Sequence, residues 1–322
     1  MNSPTQLRAR LAPSPTGGLH IGNVRTLLLA WLSARSAGGT VILRVEDIDR
    51  ARCRPEHTAR MVDDLRWLGL DWDEGPGVGG PHAPYEQSGR YPAYRAALDR
   101  LIASGHAYAC TCSRADLAQS ASAPHGPDGP TYPGTCRSRY ADAAEAVTYA
   151  GRPPAWRFDA STLPIRPWKD AFRPDLVMPA AVDDFVLWRA DEVPSYQLAV
   201  AVDDIAMGVS EVVRGDDLIP STPRQLALID LLGGRAPVYR HVPLVLDDQG
   251  HRMAKRDGSL TVAGLQSIGI TAERLVGFLA QSLGLQQNSD PVTPTGLAPT
   301  FRWEDVSHSS VTLTQQQIRA PR

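Results

Sequence analysis

Lysine is almost missing from this chain of 322 residues: only Lys169 and Lys255 stand among 33 basic side chains, and the rest are arginine. The formal net charge is -2, with 35 acidic residues as counterweight, which excludes the strongly basic footprint of an indiscriminate nucleic-acid binder. A local RNA-binding groove stays open. No run of about 18 apolar residues occurs, so no membrane span or membrane partner is expected. Met1 to Arg10 has no apolar signal-peptide core, and a cytoplasmic location follows as the expectation. Cysteine is scarce as well, with four residues, three of them between Cys110 and Cys136. That clustering fits a metal site in a reducing compartment better than a disulfide framework.

Leu7 to Ala12 reads as a short strand, broken at once by Pro13, Pro15, Gly17 and Gly18. Helical spacing begins at Asn23, with Val24, Leu27, Leu28, Trp31 and Leu32 on one face, and stops at Gly38. Thr40 to Val45 is a β-branched run suited to a buried strand, which delivers Glu46, Asp47 and Asp49 at its C-terminal end. Strand, glycine-rich turn, helix and strand make a βαβ unit, and such units bind ligands beyond the carboxyl ends of their strands. Two amphipathic helices follow, carrying Met61, Leu65 and Leu68 and then Tyr91, Tyr94, Leu98 and Leu101. Core-type sequence resumes after an insertion, with strands expected at Tyr196 to Val202 and Val209 to Val213. A helix comes next, with Thr222 expected as N-cap, Pro223 at the first helical position and Gln225 closing a capping box. Beyond Leu285 the Pro/Thr/Ser/Gln-rich tail is expected to be partly disordered, with only Phe301 to Trp303 to pack.

Two segments carry phosphate chemistry. The turn Pro13 to Asn23 lies between a strand and a helix N-terminus, where Gly17, Gly18 and Gly22 let backbone N–H groups approach a phosphate and His20 can donate to a phosphoryl oxygen. The second segment is His251 to Gly258. Its Lys255 is a compact ammonium able to follow charge across a triphosphate, and in a chain so poor in lysine its presence there is informative.

Together the segments resemble the two signatures of class I aminoacyl-tRNA synthetases, here reading His20-Ile21-Gly22-Asn23 and Arg252-Met253-Ala254-Lys255-Arg256. Arg10 to Gly17, Arg44 to Asp49, Val202-Asp203-Asp204 and Val213 to Asp217 look like the glutamyl branch of that family. Asn23 replaces the last histidine of the first signature and is expected to cap the helix; Arg252 and Ala254 replace a lysine and a serine of the second. The resemblance implies an α/β fold: a Rossmann-type parallel sheet with an inserted zinc-binding subdomain and a short C-terminal helical domain. The expected divisions are 1–104 with 190–245 for ATP and glutamate, 105–189 for the inserted, tRNA-contacting part, and 246–322 for the second signature and tail, with no anticodon-binding domain. Glutamate carries two carboxylates and an ammonium, so its pocket needs two cationic partners and one anionic one. By resemblance Arg10, Ala12, Ser14, Glu46, Tyr196 and Arg214 bind glutamate, with Glu46 on the ammonium and the arginines on the carboxylates. His20 and Lys255 are the expected catalytic residues, and with Gly17, Gly18, Gly22 and Asn23 they bind ATP and its Mg2+.

Three thiolates at Cys110, Cys112 and Cys136 make a good zinc site, but tetrahedral closure needs a fourth ligand. Chemistry alone favours His106 or His125. The resemblance instead selects Tyr132, because glutamyl-queuosine tRNA(Asp) synthetases place two cysteines, a tyrosine and a cysteine at matching positions. The 67 residues after Lys255 are too few for a helical anticodon-binding domain of about 100 residues, which matches the same truncated group. Its implied reaction is ATP-dependent activation of L-glutamate and transfer to the queuosine base of tRNA(Asp), with structural zinc and a monomeric enzyme. The alternatives are charging the 3′ end of tRNA(Glu), or non-catalytic binding of glutamate or tRNA.

Overall fold

The computed structural model describes residues 6–113, 116, 132–162, 167–175, 182–247, 250 and 260–319. Its central sheet is parallel, in the order β2-β1-β6-β7, built from β1 (Arg8–Leu11), β2 (Thr40–Leu43), β6 (Glu211–Gly215) and β7 (Val238–Val242). α1 (Ile21–Ser36) crosses from β1 to β2 on one side of β1, whereas β6 and β7 extend the sheet on the other. The strand order therefore reverses between β1 and β6, and an open α/β sheet binds its ligand at the carboxyl ends beside such a switch point.

α1 is buried almost all round, with Leu28, Leu29, Ala30, Trp31 and Leu32 consecutively inaccessible. The sheet covers one side, and apolar residues of α7 (Val262–Ser267), α8 (Ala272–Ser282) and α9 (Pro294–Leu297) join the same core. Arg25, buried within α1, donates to the carbonyl of Pro243 at 2.8 Å and to that of Ser282 at 3.3 Å, which ties the helix to the chain that follows the sheet. α2 (Pro55–Trp67) and α3 (Tyr91–Ala103) end before Gly69 and Gly105, whose positive φ values of 77° and 76° supply the left-handed turn expected there. Between α3 and the return to the central sheet lies a second, antiparallel sheet of β3 (Ala107–Cys110), β4 (Ala155–Phe158) and β5 (Val186–Trp188), with α4 (Ala143–Ala150) beside it. Among the described residues no helix is long and apolar enough to cross a membrane.

Three expectations need correction. Tyr196 to Val202 is not a strand but the first two turns of α5 (Tyr196–Ala206), capped by the Ser195 hydroxyl on the N–H of Leu198. Leu198, Ala199, Val200 and Ala201 are all buried, so the helix shows an unbroken apolar run in place of a 3.6-residue period. Thr222 is not an N-cap: α6 (Ser221–Leu231) begins before it, and both Thr222 and Gln225 are engaged by Arg214. The tail is ordered over 286–319, where Leu297, Phe301, Val306, Leu313 and Ile318 are buried and β9 (Val311–Thr312) pairs with β8 (Val245–Leu246), followed by α10 (Gln315–Arg319). Five apolar side chains spaced far apart in sequence are enough to pack it because α1 and α8 present a ready-made surface.

Candidate functional site

A cleft of about 420 Å³ opens at the carboxyl ends of β1 and β6, within the range of small-molecule sites. It brings together Arg10, Ala12, Ser14, Glu46, Tyr196 and Arg214, and on its other side Gly18, His20, Gly22 and Asn23. Gly17 is described but is not among its lining residues. Lys255 lies outside the described residues, as do Arg252, Ala254 and His125.

The phosphate-type wall is the start of α1. His20, and not Asn23, is the N-cap: its Nδ1 accepts the backbone N–H of Asn23 at 3.4 Å, so the ring carries its proton on Nε2 and can donate with that nitrogen. Asn23 is the third residue of the helix. No acidic side chain occupies the first turn, so the helix itself does not neutralise the positive end of its dipole. A Cβ on Gly22 would stand 3.1 Å from His20 Nδ1, so glycine leaves room for the ring at this close approach.

The opposite wall rests on buried charge. Arg44 is fully inaccessible and donates to Asp204 at 2.6 Å and to Glu46 at 3.1 Å, with Asp203 at 3.9 Å. Burial works against its charge, but these carboxylates hold its pKa above the ordinary guanidinium value. Glu46 shows the reverse balance: burial pushes its carboxyl above the usual range although Arg44 and Arg10 pull it down. Arg10 donates to the Val213 carbonyl at 3.2 Å and sits 3.9 Å from Asp204; burial lowers its pKa, and Asp204 opposes the shift. Asp203 is held by Arg90, Gln87 and Tyr94, at 2.6 to 2.8 Å. Arg44 and Asp203-Asp204 stood out in sequence only within segments that resemble the glutamyl branch, and their pairing across 160 residues was not legible there.

Arg214 is held differently. Its Nε donates to His241 Nε2 at 3.0 Å, Nη1 to Gln225 Oε1 at 2.7 Å and Nη2 to Thr222 Oγ1 at 2.7 Å. All three acceptors are neutral, and among the described residues no carboxylate lies within ion-pair distance. The cleft thus contains a guanidinium whose charge the protein leaves for an anion.

A second centre lies in the antiparallel sheet. The sulfur atoms of Cys110, Cys112 and Cys136 lie within 4.8 Å of one another, and no histidine joins them among the described residues, His106 included. The Tyr132 oxygen is 3.4 Å from Cys110 Sγ and 3.6 Å from Cys112 Sγ, while Cys112 and Cys136 sulfurs are 3.5 Å apart. A tetrahedral ion bound to sulfur at about 2.3 Å and to oxygen at about 2.0 Å spaces its ligands about 3.5–3.8 Å apart, and these three separations are close to that spacing. Burial raises the Tyr132 phenol and the Cys112 thiol, while hydrogen bonds, chiefly with Tyr132, bring Cys136 down despite burial. Arg157 supports the group, with its Nε 3.4 Å from Cys110 Sγ and its guanidinium 3.8 Å from the Tyr132 ring centre.

A switch-point cleft with a helix N-terminus on one wall and buried arginines and a carboxylate on the other has the chemistry to hold a phosphate beside a zwitterionic acid. The chain belongs to the class I tRNA synthetases for E and Q, whose catalytic-domain model matches residues 6–320. It is 50% identical over 316 residues to the glutamyl-Q tRNA(Asp) synthetase of Symbiobacterium thermophilum, covering 98% of both chains. It is 42% identical to the glutamate--tRNA ligase of Anaeromyxobacter sp. (strain K), covering 85% of this chain and 57% of that protein. Among solved structures, the glutamate-tRNA synthetase of Elizabethkingia anophelis superposes with a TM-score of 0.81 at 27% identity, over 97% of this chain and 69% of the other.

Proposed function

We propose that this protein activates L-glutamate with ATP and transfers the glutamyl group to the queuosine base of tRNA(Asp). The observation that carries the glutamate assignment is the joining, in one cleft, of Arg214, Arg10 and the buried carboxylate of Glu46. The choice of acceptor follows the glutamyl-Q tRNA(Asp) synthetase relative at 50% identity. The arginines take the two carboxylates; Glu46, held by Arg44 through one oxygen, takes the ammonium with the other. Ala12, Ser14 and Tyr196 complete the amino-acid end. The triphosphate lies against Gly17, Gly18, Gly22, Asn23 and the N-terminus of α1, with Mg2+ as part of the nucleotide substrate, where His20 donates to phosphoryl oxygens and Lys255 follows the migrating charge. Attack of the glutamate α-carboxylate on the α-phosphorus releases pyrophosphate and leaves glutamyl-adenylate. A hydroxyl of the queuosine ring then attacks the mixed anhydride and AMP departs, with no protein nucleophile required.

Cys110, Cys112, Tyr132 and Cys136 hold one structural zinc, which pins the inserted subdomain of residues 105–189 against which the anticodon stem-loop docks. The chain after β8 forms the short helical region of the proposed domain plan. The test is transfer of labelled glutamate to tRNA(Asp) from queuosine-containing and queuosine-deficient cells. Label should enter the first pool alone; equal labelling of both, or labelling of tRNA(Glu), rejects the assignment, and absence of glutamate-driven ATP-pyrophosphate exchange rejects enzymatic activity altogether.

A further inference from the structure

Behind Arg214 runs a chain of buried polar groups that the proposed chemistry does not itself use. Asp170 is 1% exposed and accepts four N–H groups: those of Phe172, Arg173 and His241 from the backbone, and the His241 ring nitrogen Nδ1 at 2.6 Å. His241 is 0% exposed and stands on β7 as the register partner of Arg214 on β6. Its Nε2 receives the Arg214 Nε–H at 3.0 Å, with the Thr222 hydroxyl 3.1 Å away. We infer that Asp170 and His241 are positioning residues for Arg214, setting the polarity of its hydrogen bonds so that the remaining guanidinium N–H groups face the cleft.

Donor and acceptor complementarity fixes the arrangement. Arg214 has five N–H groups and no acceptor, so whatever meets its Nε must accept. A histidine does so only in one of its three forms: neutral, with the proton on Nδ1. Asp170 imposes that form, because a carboxylate already committed to backbone N–H groups can only accept from the ring. Burial first, and then the neighbouring Arg214 and Arg10, keep the ring from gaining a second proton, bringing its pKa to about 4 against the pull of Asp170. Gln225 is likewise oriented as an acceptor, since its Nε2 is spent on Gln197 Oε1 at 3.1 Å. With one hydrogen each of Nη1 and Nη2 bound to Gln225 and Thr222, one hydrogen on each is left to meet a carboxylate. Asp170 lies in the segment between β4 and β5, so the inserted part of the chain reaches the arginine of the amino-acid site through one imidazole.

The inference rests on the glutamate reading of the cleft, and its test separates the two. His241→Phe should raise the KM for glutamate in ATP-pyrophosphate exchange by about 10- to 100-fold, the loss expected for a hydrogen bond to a charged group. KM for ATP and kcat should stay within about threefold. His241→Gln, which returns an acceptor at the Nε2 position, should recover most of the glutamate affinity. Equal rises in both KM values, a fall in kcat alone, no change, or no recovery with Gln overturns the inference. Should His241→Phe fail to fold, the ring 15N spectrum of the unmodified protein, assigned by the signal lost in His241→Gln, decides. A neutral ring protonated on Nδ1 upholds the inference, and an Nε2-protonated or doubly protonated ring refutes it. Exchange that does not depend on glutamate in the unmodified protein would defeat the functional reading and leave the tautomer measurement to judge the pair.

Discussion

Replacing Arg44 by Met keeps most of the stem volume and removes the charge that three buried carboxylates share. Arg44 is 0% exposed and bonds Asp204 at 2.6 Å and Glu46 at 3.1 Å, and both acids are buried, with only Glu46 reaching the cleft. Removing one partner of such a buried pair costs about 3–5 kcal/mol. At about 2–4 °C per kcal/mol for chains of this class, the melting temperature should fall by roughly 10 °C. The pH dependence follows from Glu46. Its folded pKa lies above the ordinary 4.5, so its protonated form favours the native state; that contribution is present below 4.5 and is lost as pH rises through the raised folded value. Without Arg44 the folded value climbs further, so the deficit of the variant grows as pH rises from about 4.5 toward neutrality. Thermal unfolding followed by circular dichroism at about pH 5 and about pH 7.5 reads both effects, and glutamate-driven exchange should show a KM for glutamate raised about tenfold or more as Glu46 loses its charge. A fall in melting temperature below about 2 °C, or an equal fall at the two pH values, refutes the reasoning.

Gly22→Ala places a methyl 3.1 Å from His20 Nδ1 and 3.2 Å from its Cε1, so the imidazole must shift by a few tenths of an ångström, about enough to weaken its 3.4 Å cap on Asn23. Exchange should drop by about 10- to 100-fold with little change in melting temperature, and activity near that of the unmodified protein would show that the ring position is immaterial. Tyr132→Phe removes the only oxygen among the four clustered ligand atoms. Elemental analysis after dialysis against a weak chelator should find one zinc per chain in the unmodified protein and markedly less in the variant, with glutamate-driven exchange largely retained. Equal zinc in both would exclude the tyrosine as a ligand.

Much of the site was legible because its residues are local to strand ends. The run Thr40 to Leu43 forms a parallel strand for its β-branched side chains, and whatever follows it must emerge at the carboxyl edge; Glu46 could be assigned there from sequence alone. Arg10 and Arg214 followed by the same rule. Tyr196 reached the cleft by a different route, from the N-terminus of a helix where a strand was expected. In a run whose stretch Leu198 to Val202 is apolar without a break, only the Ser195 cap distinguishes the two, and a single cap is a weak signal. Thr222 and Gln225 carry the pattern of a capping box, yet the buried guanidinium of Arg214 engages both, a charge-assisted bond being stronger than a helix cap.

The sequence by itself determined the strand-turn-helix that presents His20, the acidic and basic residues at the strand ends, and the cysteine spacing that gathers a metal-type cluster. Each depends on neighbours within a few tens of positions, where chain geometry leaves little choice. Only the tertiary structure decided which charges neutralise one another. Arg44 finds Asp204 and Arg10 approaches it, whereas Arg214 meets three neutral acceptors and keeps its charge for the cleft. Composition counts arginines and carboxylates as equals; burial makes breaking a pairing cost about 3–5 kcal/mol, and the sheet order that sets β6 between β1 and β7 chooses the pairs.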